Sequence, residues 1–75
     1  MKAFVLVNVK AGKSAAVMDV LKRIEAIEIV YACWGRPDII ALVDVKNERA
    51  LSNLVMDKIQ PVAGIESTDT HIVIE

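Results

Sequence analysis

The sequence holds one cysteine, one histidine, two prolines, three glycines and one each of Trp, Tyr and Phe in 75 residues. Each scarcity closes off an architecture. Cys33 has no second thiol to pair with, so no intrachain disulfide can staple the chain. A structural zinc site draws its ligands chiefly from Cys and His, and Cys33 with His71 is too few. A basic stripe is also missing: nine Lys and Arg residues are scattered from Lys2 to Lys58 against ten Asp and Glu, for a net charge of −1. Neutralising duplex phosphates takes basic side chains gathered on one face, so no direct nucleic-acid binding is expected. No apolar run approaches the roughly 20 residues of a membrane-spanning helix. The opening "MKAFVLVNVK" turns polar too early for a signal peptide. No membrane contact is therefore expected, and the lone thiol suits a reducing, cytoplasmic setting.

Apolar residues, by contrast, are plentiful. They make up 55% of the chain, where about 45–50% is usual for globular domains. A chain this short buries only about 60% of its unfolded surface, and small scaffolds lean on disulfides, metals or association. With the first two closed off, a second chain is expected to cover part of the apolar excess.

The pattern along the chain is β-α-β-β-α-β. Lys2 to Lys10 reads as a strand ended by Ala11-Gly12. Ser14 is the expected cap of a helix running to about Ala26, with Val17, Val20, Leu21 and Ile24 on one stripe. A second strand spans Ile27 to Trp34, and a third spans Ile39 to Lys46. Between them lies a polar island, Gly35-Arg36-Pro37-Asp38. Asn47 is expected to cap a second helix carrying Leu51, Leu54, Val55 and Ile59 on one face. Pro61 ends that helix, and Ile65 to Glu75 reads as the last strand. This order predicts an α+β, ferredoxin-like fold: a four-stranded antiparallel sheet with two helices on one face. Ala3, Val5, Val7 and Val9 alternate with Phe4 and Leu6, and Ile39, Ala41, Val43 and Val45 with Ile40 and Leu42. Both faces are apolar, and two helices cover only one of them. The other is expected to be buried in a two-fold homodimer formed through the sheet.

Two polar clusters are candidate sites. Gly35 to Asp38 suits a hairpin corner, because Gly permits unusual φ, Pro fixes it, and Asp accepts backbone amides. The same four residues offer both signs of charge, which a zwitterionic ligand requires. Ser67-Thr68-Asp69-Thr70-His71 suits an exposed strand, or a row of hydroxyls and a carboxylate orienting a small polar ligand. His71 has no nucleophile at usable spacing, and Cys33 reads as a small buried thiol. Trp34, beside the corner, suits a subunit contact. "AGKS", Ala11 to Ser14, lacks the full phosphate-loop pattern.

On the Gly-x-x-Asp corner leading into an apolar third strand, and on the ending "PVAGIESTDTHIVIE", the chain resembles the effector-binding (RAM) domain of the Lrp/AsnC transcription regulators. The likeness spans residues 1–75 as a single domain. It implies a dimer, assembled further into octameric or similar rings, that binds a small effector, usually an amino acid, between subunits. By position, Gly35, Arg36, Pro37 and Asp38 would surround the effector's charged groups, with Thr68, Asp69 and Thr70 contributing from the last strand, partly from a neighbouring subunit. No enzyme activity, cofactor or metal is expected, since one Trp, one Tyr and one Phe beside helix stripes of Val, Leu and Ile offer little to line a catalytic cavity. The family's helix-turn-helix domain has no counterpart in these residues, so any role in transcription is expected to act through full-length Lrp/AsnC regulators. Arg36-Pro37 departs from the small or aromatic residues usual in the corner, so the effector's identity does not transfer. Two other readings stand beside this one. One is a small dimeric cofactor-independent monooxygenase with a cavity between sheet and helices; the other is an assembly module without ligand. On the sensor reading, Asp38→Ala is expected to lose ligand while keeping its fold.

Overall fold

The computed structural model describes all 75 residues, Met1 to Glu75. β1 (Lys2–Val9), α1 (Ser14–Leu21), β2 (Ile27–Ala32), β3 (Ile39–Asp44), α2 (Glu48–Asn53) and β4 (Ile65–Ile72) follow in the expected order. The strands form one antiparallel sheet in the order β2-β3-β1-β4, which is the ferredoxin-like arrangement. β1 is central, paired with β3 on one side and β4 on the other.

The inner face of the sheet packs on the helices. Ala3, Val5 and Val7 from β1 and Ile39, Ala41 and Val43 from β3 are completely buried there, together with Val17, Leu21 and Ile59 from the helical layer. Only 13 of 75 residues are buried, all of them apolar. The alternation seen in the sequence therefore matches the pleat. The outer face is paved in rows across the sheet: Ile29, Leu42, Phe4 and His71 in one, Tyr31, Ile40, Leu6 and Asp69 in the next. Leu6, Ile40 and Leu42 are half-buried by their neighbours, whereas Phe4, Ile29 and Tyr31 are exposed.

The helices differ from the sequence expectation in three ways. Ser14 is the first helical residue rather than the cap. Lys13 occupies the cap position, and no side chain there accepts a helix amide. α1 ends at Leu21, and three successive turns, closed by the amides of Arg23, Ile24 and Ile27, carry the chain into β2. Ile24 and Ala26 in these turns pack, partly buried, against the core. The second helix starts as expected, with Asn47 Oδ1 accepting the Ala50 amide at 2.9 Å. After Asn53 it widens into a π-helical segment, Leu54–Ile59, and the Gln60 amide reaches back five residues to the Val55 carbonyl at 2.8 Å. Leu51, Leu54, Val55 and Ile59 stay buried along this change of pitch.

Gly64 locks the helical layer to β4. Its φ is 101°, and its carbonyl accepts the Lys10 amide at 2.8 Å. A Cβ at this position would lie 2.9 Å from Lys13 Cβ and 3.2 Å from Val17 Cγ2. Both the left-handed backbone and the close approach exclude a side chain. Gly64→Ala is expected to lower stability by about 1–3 kcal/mol, measured by urea unfolding, with Gly12→Ala as a control. Gly12 also has positive φ but open space around it.

Candidate functional site

The polar island forms the corner between β2 and β3, at the end of the sheet where β1 finishes. Gly35 takes φ 106°, which an L side chain rarely adopts, and the Arg36–Pro37 peptide is cis. The Cys33 amide donates to the Asp38 carbonyl at 2.8 Å, closing the loop on itself. The Asp38 amide donates to the Val7 carbonyl at 3.0 Å, which carries the β1–β3 ladder one residue beyond β3. The following donor on that edge, the Val9 amide, is met by the Asp38 side chain: Oδ2 accepts it at 2.8 Å. The carboxylate of Asp38 thus stands where a strand carbonyl would.

Val9 lies at an irregularity. It pairs with Ile65, while Asn8 pairs with Ser67, so two steps along β4 oppose one step along β1. Glu66 is the residue left without a register partner, which is the geometry of a β-bulge. Its carboxylate meets the corner: Arg36 Nη2 donates to Glu66 Oε1 at 3.3 Å, and Arg36 Nη1 donates to Asp38 Oδ2 at 3.3 Å. The guanidinium spans two carboxylates on separate elements. The Arg36 side chain is 63% exposed, Glu66 45% and Asp38 25%. Trp34, fully exposed, stands next to this network in the chain.

The β4 candidates part company. Thr68 pairs with Val7 and Thr70 with Val5, so both lie on the inner face. Thr68 Oγ1 accepts from Gln60 Nε2 at 3.0 Å. Thr70 lines a small open groove with Glu48, Leu51, Ser52, Val55 and Met56. Asp69 pairs with Leu6 and lies on the outer face, where its Oδ2 is 3.1 Å from His71 Nε2. Within one chain, Gly35 to Asp38 adjoin Val9 and Glu66, while Thr68 and Thr70 face the helices and Asp69 faces away from them. Neither of the two surface grooves includes a corner residue. Period-two alternation alone separates Asp69 from Thr68 and Thr70, so that division was already visible in the sequence.

Three further details complete the picture. Cys33 is half-buried rather than enclosed, with its Sγ 3.9 Å from the Tyr31 carbonyl. Asp44, at the far end of β3, accepts from the Met1 ammonium at 3.4 Å. No group of three or more His, Cys, Asp or Glu side chains is arranged to hold a metal.

Comparison with known proteins places this fold. The family model described as the Lrp/AsnC ligand binding domain matches residues 2–75, and the chain belongs to that family. It is 40% identical over 75 residues to the HTH-type transcriptional regulator FL11 of Pyrococcus abyssi, which covers all of this chain and 49% of FL11. The chain spans about half the length of the curated relatives it matches. The crystal structure of FFRP-DM1 superposes with a TM-score of 0.92 at 30% identity, over 97% of both chains. The transcriptional regulator NMB0573 of Neisseria meningitidis, solved as a complex with L-Met, shares the fold at 18% identity. Its TM-score is 0.89, over 99% of this chain and 49% of that one.

Asp38 thus has a structural task, which revises the expectation that Asp38→Ala keeps its fold intact. Removing the carboxylate leaves the Val9 amide, in a part-buried position, without its acceptor. Asp38→Ala is expected to cost about 1–3 kcal/mol, whereas Arg36→Ala, which breaks only exposed ion pairs, is expected to cost less than about 1 kcal/mol. Denaturant titration of both variants checks the difference.

Proposed function

We propose that this chain is a non-enzymatic effector-sensing module that holds a small zwitterion, an α-amino acid, at the Gly35–Asp38 corner and works as an assembly of two or more copies. One observation carries the reading: Arg36 and Asp38 present both signs of charge, 3.3 Å apart, at an open surface. The ammonium and carboxylate of an amino acid call for that pairing. Membership of a family defined by its ligand binding domain supports it. So does the L-Met bound to a protein of the same fold.

A ligand at so open a corner needs further walls, and a second copy is the natural source. On this reading Thr68 and Thr70, which share the inner face, complete the site from a copy in a neighbouring dimer, while Asp69 lies on the outer face of its own strand. The outer sheet face supplies the two-fold contact within each dimer. Phe4 is 42% and Tyr31 64% exposed, over a floor of Leu6, Ile40 and Leu42, and such a face is best covered by its own two-fold mate. The effector then acts by favouring one assembly over another, since a ligand shifts only equilibria between states it binds unequally. Regulation of transcription would follow through full-length relatives of the same family, in the cytoplasm. The enzyme alternative requires a cavity between sheet and helices. The interior is filled by Val5, Val7, Val17, Leu21, Ile39 and Ile59, all without exposed surface. The open groove between the end of β3 and the second helix, lined by Asp44, Val45, Asn53, Leu54, Asp57 and Lys58, carries no aromatic side chain.

A thermal-shift screen against the twenty amino acids tests the proposal. One or a few are expected to raise the midpoint selectively. Saturation at a hundred times Kd adds about 2.7 kcal/mol, and each kcal/mol moves a domain this small by roughly 4–8 °C. A uniform absence of shift at millimolar amino acid would overturn the sensor reading.

A further inference from the structure

We infer that Arg36 is the residue that receives the effector's carboxylate, and that Glu66 is an internal carboxylate occupying the guanidinium until the effector displaces it. This rests on the sensor reading and specifies how the corner discriminates. A guanidinium offers five N–H donors in a planar fork that matches a carboxylate in bidentate fashion. In the structure that fork is shared between two carboxylates, and the two are not equally free to leave.

Asp38 is anchored. Its Oδ2 is committed to the Val9 amide at 2.8 Å, and its side chain is three-quarters buried. Releasing Arg36 from Asp38 would not free Asp38 itself. Glu66 has the Arg36 contact as its one side-chain partner, at 3.3 Å, and is far more exposed. It also owes its position to the bulge between the Asn8–Ser67 and Val9–Ile65 pairs, which takes it out of the alternation of β4 and sets it beside the corner. An exposed pair of this kind holds with an advantage of no more than about fivefold. A ligand carboxylate therefore replaces Glu66 like for like, with no change in the charge around Arg36. The cost of displacement is a small, fixed reduction in affinity, and that reduction sets how much effector the sensor needs.

The test compares wild type, Glu66→Gln, Arg36→Ala and the double variant. Each is titrated with the twenty amino acids, by thermal shift and by the emission of Trp34, the only tryptophan, which adjoins the corner. None of the variants alters Asp38 or Val9, and the midpoint without amino acid checks that each remains folded. Glu66→Gln is expected to lower Kd two- to fivefold for the amino acid that stabilises the wild type. Arg36→Ala is expected to raise it at least tenfold, and Glu66→Gln should change nothing in the Arg36→Ala background, as a double-mutant cycle requires of groups acting through one another. If the wild type binds and Glu66→Gln binds equally or more weakly, Glu66 is not a competitor and the inference alone fails. Unchanged affinity in Arg36→Ala removes the carboxylate clamp in the same way. If neither wild type nor Glu66→Gln responds to any amino acid, the inference and the sensor reading fall together.

Discussion

The structure depends on a single strand that is apolar on both sides. β1 runs through the middle of the sheet, sending Ala3, Val5, Val7 and Val9 into the helical layer and Phe4 and Leu6 to the other face. The two helices are too few to cover both. One face joins six helical residues in a core of 13 with no polar member, small enough that its packing alone makes a modest domain. The other face is left with Phe4, Ile29 and Tyr31 open to solvent. The accessible surface of 5010 Å² exceeds the roughly 4,500 Å² of a compact monomer of this mass.

The same strand ends at the candidate site. Where β1 reaches Val9, the ladder with β3 runs out of carbonyls and the ladder with β4 slips by one residue. Asp38 repairs the first defect with its side chain, and the second brings Glu66 to Arg36. The corner is thus built from the termination of the sheet rather than added to it. The corner is tied to its own loop through the Cys33 amide and to β1 through the Val7 carbonyl.

Much of this was legible in the sequence, and the reasons are physical. Period-two alternation in Ala3 to Val9 and Ile39 to Val45 gave the strands and both of their faces, because a pleated strand has no other way to place its side chains. Asn47 could be read as a cap because its side chain is short enough to reach the amide three residues on. Ser14 has the same chemistry but entered the helix instead, since capping depends on the φ of the residue before the first turn, and Lys13 took that position. The widening of the second helix left no sequence signal, as its buried residues serve either pitch. At the site, the charge pairing of Arg36 and Asp38 was visible. The structural duty of Asp38 was not, since it depends on where the β1–β3 ladder ends, and Glu66 was missed because a one-residue slip in register cannot be read from composition. The grouping of Thr68, Asp69 and Thr70 as one cluster overlooked the alternation that had served so well in the other strands.

The most direct measurement is sedimentation equilibrium of the protein at several concentrations from one to one hundred micromolar, repeated with Leu6→Lys. The two-faced sheet predicts an assembly of at least two chains for the wild type, and dissociation towards single chains when a charge is set in the middle of the outer face. A wild type that sediments as one chain throughout that range, or a Leu6→Lys variant that stays as fully associated as the wild type, would contradict the account.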